Sequence, residues 1–156
     1  MSPHVDLKGV AIKEAVLRDL RPLIALIQSY YRFERIPFNR AAILAGLKLL
    51  LNNPSLGHAW LILNRNRSIG YIVATFGFDL EFGGRQATIT DFYIKSPHRG
   101  NGVGRKVLIG VEDFCRMLGV EAVELQVARG NARALAFYES VGFEAHDRIS
   151  MSKRIG

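Results

Sequence analysis

Apolar and polar positions along this chain follow two spacings, and the spacing switches several times. Val10 to Lys13 reads as the end of a first strand. Leu17, Leu20, Leu23, Ile24 and Ile27 then recur at the spacing of one helix face. Pro22 is expected near the first turn of that helix, where a missing N–H costs least. Pro37-Phe38-Asn39 reads as a turn with Asn39 as N-cap. Ile43, Leu47, Leu50 and Leu51 mark a second helix, ended by Asn52-Asn53-Pro54. Trp60 to Leu63 and Ile69 to Phe78 read as strands, joined into a hairpin by Asn64-Arg65-Asn66-Arg67. Phe82-Gly83-Gly84-Arg85 makes the next turn, and Gln86 to Ile94 is a fourth strand.

Further on, Val103, Val107, Val111, Phe114, Cys115 and Leu118 form a helical stripe, closed by Gly119. Val123, Leu125 and Val127 alternate as a fifth strand. Asn131 to Ser140 reads as a short helix with a capping residue at its start. Gly142-Phe143 opens a final pair of strands in which Ile149, Met151 and Ile155 alternate. The predicted order is β-α-α-β-β-β-α-β-α-β-β. No linker or internal repeat interrupts it, so residues 1–156 are expected to form one domain.

Between the fourth strand and the third helix lies Ser96-Pro97-His98-Arg99-Gly100-Asn101-Gly102-Val103-Gly104-Arg105-Lys106. A glycine-rich strand-to-helix turn presents backbone N–H groups at a helix N-terminus, where the dipole favours an anion. Lys95, Arg99, Arg105 and Lys106 are basic, and no acid falls between 95 and 106. The stretch reads as a phosphate cradle. A P-loop needs two glycines five apart, then Lys and Ser or Thr. Gly100 to Gly104 is one residue short, and Val107 follows Lys106. A dinucleotide fingerprint needs a third glycine where Arg105 stands. What remains is Arg99-x-x-Gly102-x-Gly104.

Composition narrows the partners. The chain has 156 residues, 49% of them apolar, enough for one core. Its apolar runs are well short of the ~20 residues that span a membrane. Met1-Ser-Pro-His-Val-Asp6 lacks the regions of a secretory signal. A single cysteine, Cys115, excludes an internal disulfide and fits a reducing, cytoplasmic location. Cys115 falls on the apolar side of its helix and reads as a buried thiol rather than a nucleophile. The net charge of +7 raises nucleic-acid binding. The basic residues are scattered, however, apart from 95–106 and Lys153-Arg154, and a polyanionic cofactor accounts for the excess. Neither nucleic acid, membrane nor metal is expected as a partner.

Four segments, in order, resemble the GNAT N-acetyltransferase superfamily. Ala11-Ile-Lys-Glu-Ala15 with Asp19-Leu20 resembles its opening strand and helix. Ile89-Thr-Asp91-Phe92-Tyr93-Ile94 resembles its fourth strand, and Arg99 to Gly104 its acetyl-CoA pyrophosphate loop. Asn131-x-x-Ala134-x-x-Phe137-Tyr138-Glu139-x-x-Gly142-Phe143 resembles its last helix and turn. Tyr30-Tyr31 and Phe76 to Gly84 are similar to segments of a bacterial branch. The resemblance implies an α/β (α+β) acyl-CoA N-acyltransferase fold. Its mixed sheet would have about seven strands, splayed between strands four and five, with about four helices.

It also implies the chemistry. Pantetheine would pair with the free edge of strand four through the backbone of Phe92 and Ile94, with Tyr93 between them. The pyrophosphate would fall on the N–H groups of Gly100, Asn101, Gly102, Val103, Gly104 and Arg105, with charge from Arg99 and Arg105 where these are not merely solvated. Asp91, on a strand face with Ile89 and Tyr93, would take the amine proton directly or through water, or would be a structural carboxylate. Asp79 and Glu81 are competing bases. The Ile94 N–H would stabilise the thioester oxygen. Tyr138 would donate to the departing thiolate, or would only pack; Asn131 would contact the cofactor or only cap its helix. Tyr30, Tyr31, Phe33, Glu34, Phe78, Asp79 and Glu81 would line the acceptor pocket, where acids beside aromatics suit a cation. The implied activity is acetyl transfer from acetyl-CoA to a primary amine in a ternary complex. The acceptor would be a small cationic amine, a polyamine, an aminoglycoside or a peptide amine, and the protein a monomer or homodimer. The alternatives are a catalytically silent acyl-CoA-binding module and an RNA- or ribosome-associated one.

Overall fold

Most strands and helices form where the two spacings place them. A computed structural model describes residues 7–156, and the stretch read for a secretory signal, Met1 to Asp6, lies outside them. The strands are β1 (Val10–Glu14), β2 (Gly57–Asn64), β3 (Arg67–Asp79), β4 (Gly84–Ile94) and β5 (Val120–Leu125). The helices are α1 (Leu20–Glu34), α2 (Arg40–Leu51), α3 (Val103–Met117) and α4 (Ala132–Ser140). Pro22 sits in the first turn of α1, and the Asn39 side chain caps α2 by accepting the Ala42 N–H at 3.0 Å. No described helix is long and apolar enough to cross a membrane.

The sheet runs β1-β2-β3-β4-β5. The first three pairings are antiparallel, and β4 with β5 is parallel. A parallel pair needs a crossover, and α3 supplies it. On one face, Leu23, Ile24, Leu26 and Ile27 of α1 and Leu47 of α2 pack with Ala59, Leu61, Tyr71 and Val73. Each such aliphatic side chain contributes about 1.5–3 kcal/mol by leaving water. Strand alternation sends Trp60 to the opposite face, where its ring lies 5.2 Å from that of Phe114 in α3. Cys115 is buried on α3, which pushes its thiol pKa up, as befits a packing residue.

Residues up to Gln126 form one compact unit, and Val127–Gly156 form a second. The sheet has five strands rather than about seven. β5 stops at Leu125, short of Val127, and the expected final pair of strands is not formed among the described residues. Ile149, Met151 and Ile155 are 79%, 90% and 95% exposed. Alternation specifies a strand only when one of its faces is buried, and these side chains have no such face.

At the entry to α1 the carboxylate of Asp19 accepts the Val16 N–H at 2.9 Å and pairs with Lys13 Nζ at 3.0 Å. Burial alone would raise its pKa, but these partners outweigh it and hold the group below its usual 3.8. A lowered native pKa gives stability that is present above the unfolded value and lost as pH falls through the native one. Asp19→Ala is expected to cost about 1–2 kcal/mol at pH 7. Urea titrations of both proteins should show that difference shrinking below about pH 4.

Candidate active site

The centre of β4 departs from regular pairing. Ile89 lies opposite Ala74 and Asp91 opposite Val73, so Thr90 is an extra residue with no partner on β3. An extra residue shifts strand alternation by one. Ile89 therefore faces the α3 side with Ala74, whereas Asp91 faces α1 with Val73, Tyr71 and Tyr93. This corrects the expectation that Ile89 and Asp91 share a face.

The same place ends the β4–β5 ladder. Parallel pairing covers Arg85 to Ile89 and goes no further, which opens the splay between strands four and five. Beyond it, the Lys95 N–H donates to Ile69 C=O of β3 at 2.8 Å. Alternation then turns the amides of Phe92 and Ile94 toward the open edge, as expected of a pantetheine-pairing strand. The Ile94 C=O already accepts the Arg99 Nε–H at 2.6 Å, which leaves the Ile94 N–H on that edge.

The edge leads into the glycine loop. Gly100 and Gly102 both take left-handed φ, 79° and 80°, which L side chains rarely adopt. Asn101 Nδ2 donates to Arg99 C=O and shapes the turn. Gly102 is the N-cap of α3 and offers no side chain, and the first helical bond runs from the Lys106 N–H to Gly102 C=O. The amides of Val103, Gly104 and Arg105 thus have no acceptor within the helix. Val103 is buried and seats the helix, while Arg105 is exposed. Lys106 turns away: its Nζ donates to Leu7 C=O and Val10 C=O at 2.6 and 2.7 Å. A basic cavity lined by Arg65, Arg67, Lys95 and His98 lies at the β2–β3 turn, toward β3 rather than the open edge.

Asp91 does not stand alone. Its Oδ2 accepts the Tyr71 hydroxyl at 2.7 Å, and Tyr71 is fully buried. Burial raises the Asp91 pKa, against the lowering effect of hydrogen bonds from Tyr71 and Thr90. Burial and the Asp91 charge together push the Tyr71 phenol far up, so it remains a donor. The Tyr30 ring lies 6.1 Å from Tyr71, 5.9 Å from Tyr93 and 5.9 Å from Tyr31, and Phe33 is 6.5 Å from Tyr93. Tyr30 and Tyr31 are thereby brought beside the Tyr71–Asp91 pair, and Phe33 lies farther along, beside Tyr93.

Three further acceptor candidates lie farther along the sheet. Phe78, Asp79 and Glu81 sit at the β3–β4 turn, six residues along β3 from Val73, about 20 Å away in an extended strand. Asp79 Oδ1 accepts the Glu81 N–H at 2.8 Å and shapes that turn. Glu34 is exposed at the end of α1. Asp79 and Glu81 are therefore set apart from Asp91 along the sheet. In the C-terminal unit, Asn131 Oδ1 accepts the Ala134 N–H at 3.1 Å and caps α4, one of the two roles considered for it. Tyr138 packs against Phe137 and Phe143, with ring centres 5.2 and 5.6 Å apart.

Tyr71 was missed in the sequence. The available signal was a phenol inside the apolar run Ile69 to Val73, since a buried tyrosine hydroxyl needs a partner.

Comparison with known proteins agrees with this geometry. Residues 22–143 match the acetyltransferase (GNAT) family, and the chain belongs to that family. It is 30% identical over 99 residues to the uncharacterized N-acetyltransferase YycN of Bacillus subtilis (strain 168), covering 63% of this chain and 62% of that protein. It is 30% identical over 74 residues to thialysine N-epsilon-acetyltransferase of Bos taurus, covering 47% and 43%. The matches thus span less than two thirds of these relatives' lengths. An integron cassette protein from the Cole Harbour Salt Marsh metagenome superposes with a TM-score of 0.82 at 30% identity, covering 93% of this chain and 90% of that one. An aminoglycoside N-acetyltransferase, AAC(6')-Iy, solved with CoA shares the fold at a TM-score of 0.80 and 15% identity, covering 93% and 94%.

A raised native pKa means that Asp91 contributes extra stability below its unfolded pKa, which is lost as pH rises through the native value. Asp91→Asn has no such proton to lose. It is expected to melt higher than the wild type at pH 7, with the gain gone by about pH 4 in paired thermal melts.

Proposed function

We propose that this protein is an N-acetyltransferase that uses acetyl-CoA and acetylates a primary amine by direct attack. One observation carries the reading: the open edge of β4 runs into a left-handed glycine turn whose helix amides lack acceptors. The residues fit the donor along its length. Phe92 and Ile94 present peptide groups to an amide-bearing arm, and the amides of 100–105 face its pyrophosphate. A Cβ at Gly102 would be strained by its φ of +80°. The family match, and relatives named for acetylating thialysine and streptothricin, support amine acetylation.

Acetyl-CoA supplies the activated thioester. Asp91, made more basic by burial, takes the amine proton, directly or through one water. Tyr71 donates to its far oxygen and fixes the carboxylate plane. The Ile94 N–H stabilises charge on the carbonyl oxygen. Tyr138 protonates the departing sulfur, because a phenol keeps its proton at neutral pH. The acceptor is a small cationic amine, a polyamine, an aminoglycoside or a peptide amine, bordered by Tyr30, Tyr31 and Phe33.

An amine screen that follows both CoA release and acetylated product tests the reading; acetyl-CoA binding without turnover of any amine would replace it with a silent acyl-CoA module. Acetyl-CoA is expected to raise Tm by mass action, and a folded Gly102→Val protein should lose that shift. Tyr138→Phe should lower kcat about tenfold or more while acetyl-CoA affinity stays near wild type, measured where chemistry limits the rate. Wild-type turnover in that variant would leave Tyr138 a packing residue.

A further inference from the structure

Arg99 leaves the glycine loop and lies back over the sheet. Its guanidinium carbon is 4.6 Å from the centre of the Phe33 ring and 5.4 Å from that of Tyr93. Its Nε holds the Ile94 carbonyl, and among the described residues it forms no ion pair. Two aromatic faces and one backbone bond therefore fix a permanent cation whose terminal N–H fork is not matched to a carboxylate. Tyr93 stands two residues from Asp91 on the same sheet face, about 7 Å along the strand. A carboxyl that can take a proton and an unmatched guanidinium thus flank one aromatic patch, roughly 10 Å apart.

This pair of charges sorts acceptors. A molecule that is only cationic is attracted at Asp91 and repelled at Arg99. One that carries both an amine and a carboxylate is attracted at both. The distance of Asp79 and Glu81 along β3 removes two of the acids that would line a site for a polycation. We infer that the acceptor is a free amino acid, bound with its carboxylate on the Arg99 terminal nitrogens and its amine toward Asp91. An end-on guanidinium–carboxylate contact uses the two Nη groups, which leaves Nε on Ile94. The inference rests on the N-acetyltransferase reading and narrows its acceptor.

The test compares molecules that differ in the carboxylate. Lysine is run against lysinamide, and ornithine against putrescine, at saturating acetyl-CoA. The carboxylate-bearing member of each pair is expected to have a kcat/KM about tenfold or more higher. Arg99→Gln should bring each ratio close to one. The ratio is the readout because Arg99 also borders the cofactor loop, and any loss there falls on both members alike. Putrescine and lysinamide reacting as well as their partners would overturn the inference and leave the enzyme reading intact. So would a preference that survives in Arg99→Gln. No CoA release with any amine would overturn both.

Discussion

The extra residue at Thr90 is the constraint on which the site depends. One unpaired position in β4 changes three things together. It turns Asp91 from the α3 face to the α1 face, against Tyr71. It coincides with the end of the β4–β5 ladder at Ile89, so the stretch from Thr90 to Ile94 is paired on one side only among the described residues. It leaves Phe92 and Ile94 with peptide groups on an open edge that runs straight into the glycine turn. A regular strand would keep Asp91 beside Ile89 on the other face, away from the aromatic cluster. Bulges re-aim side chains in this way next to active sites.

The cluster around Asp91 shows how function and stability oppose each other here. A carboxylate among tyrosines gives up hydration, and the hydrogen bonds from Tyr71 and Thr90 offset part of that loss. What is left unrecovered is the same quantity that raises the carboxyl pKa. Tyr71 has to be fully buried to hold the carboxyl in place, and Tyr30 covers it edge-on. The aromatic wall contributed by α1 is thus also the seal over the Tyr71–Asp91 pair.

Much of the fold was legible in the sequence. The apolar stripes of α1, α2 and α3, the Asn39 and Asn131 caps and the Gly102 helix start each follow from a local rule, and each is found. The bulge was not legible, because Ile89-Thr-Asp91 alternates as a regular strand would and the shift exists only in the pairing with β3. The acids misled for a related reason. Sequence places Asp79, Glu81 and Asp91 within a dozen residues, but an extended strand turns that closeness into about 20 Å. Ile149, Met151 and Ile155 keep a strand's period with nothing to cover them. Position showed Arg99 only as charge beside the glycine loop or as a solvated side chain, and the rings from α1 and β4 that lie against it come from distant parts of the chain.

Lys106 has a reach out of proportion to its place in the loop. Its ammonium bonds to carbonyls at Leu7 and Val10, 99 and 96 residues away in the chain. The first turn of α3 is therefore moored to the entry of the first strand. Leu7 and Val10 thereby share in placing the glycine turn, through one side chain rather than through the sheet.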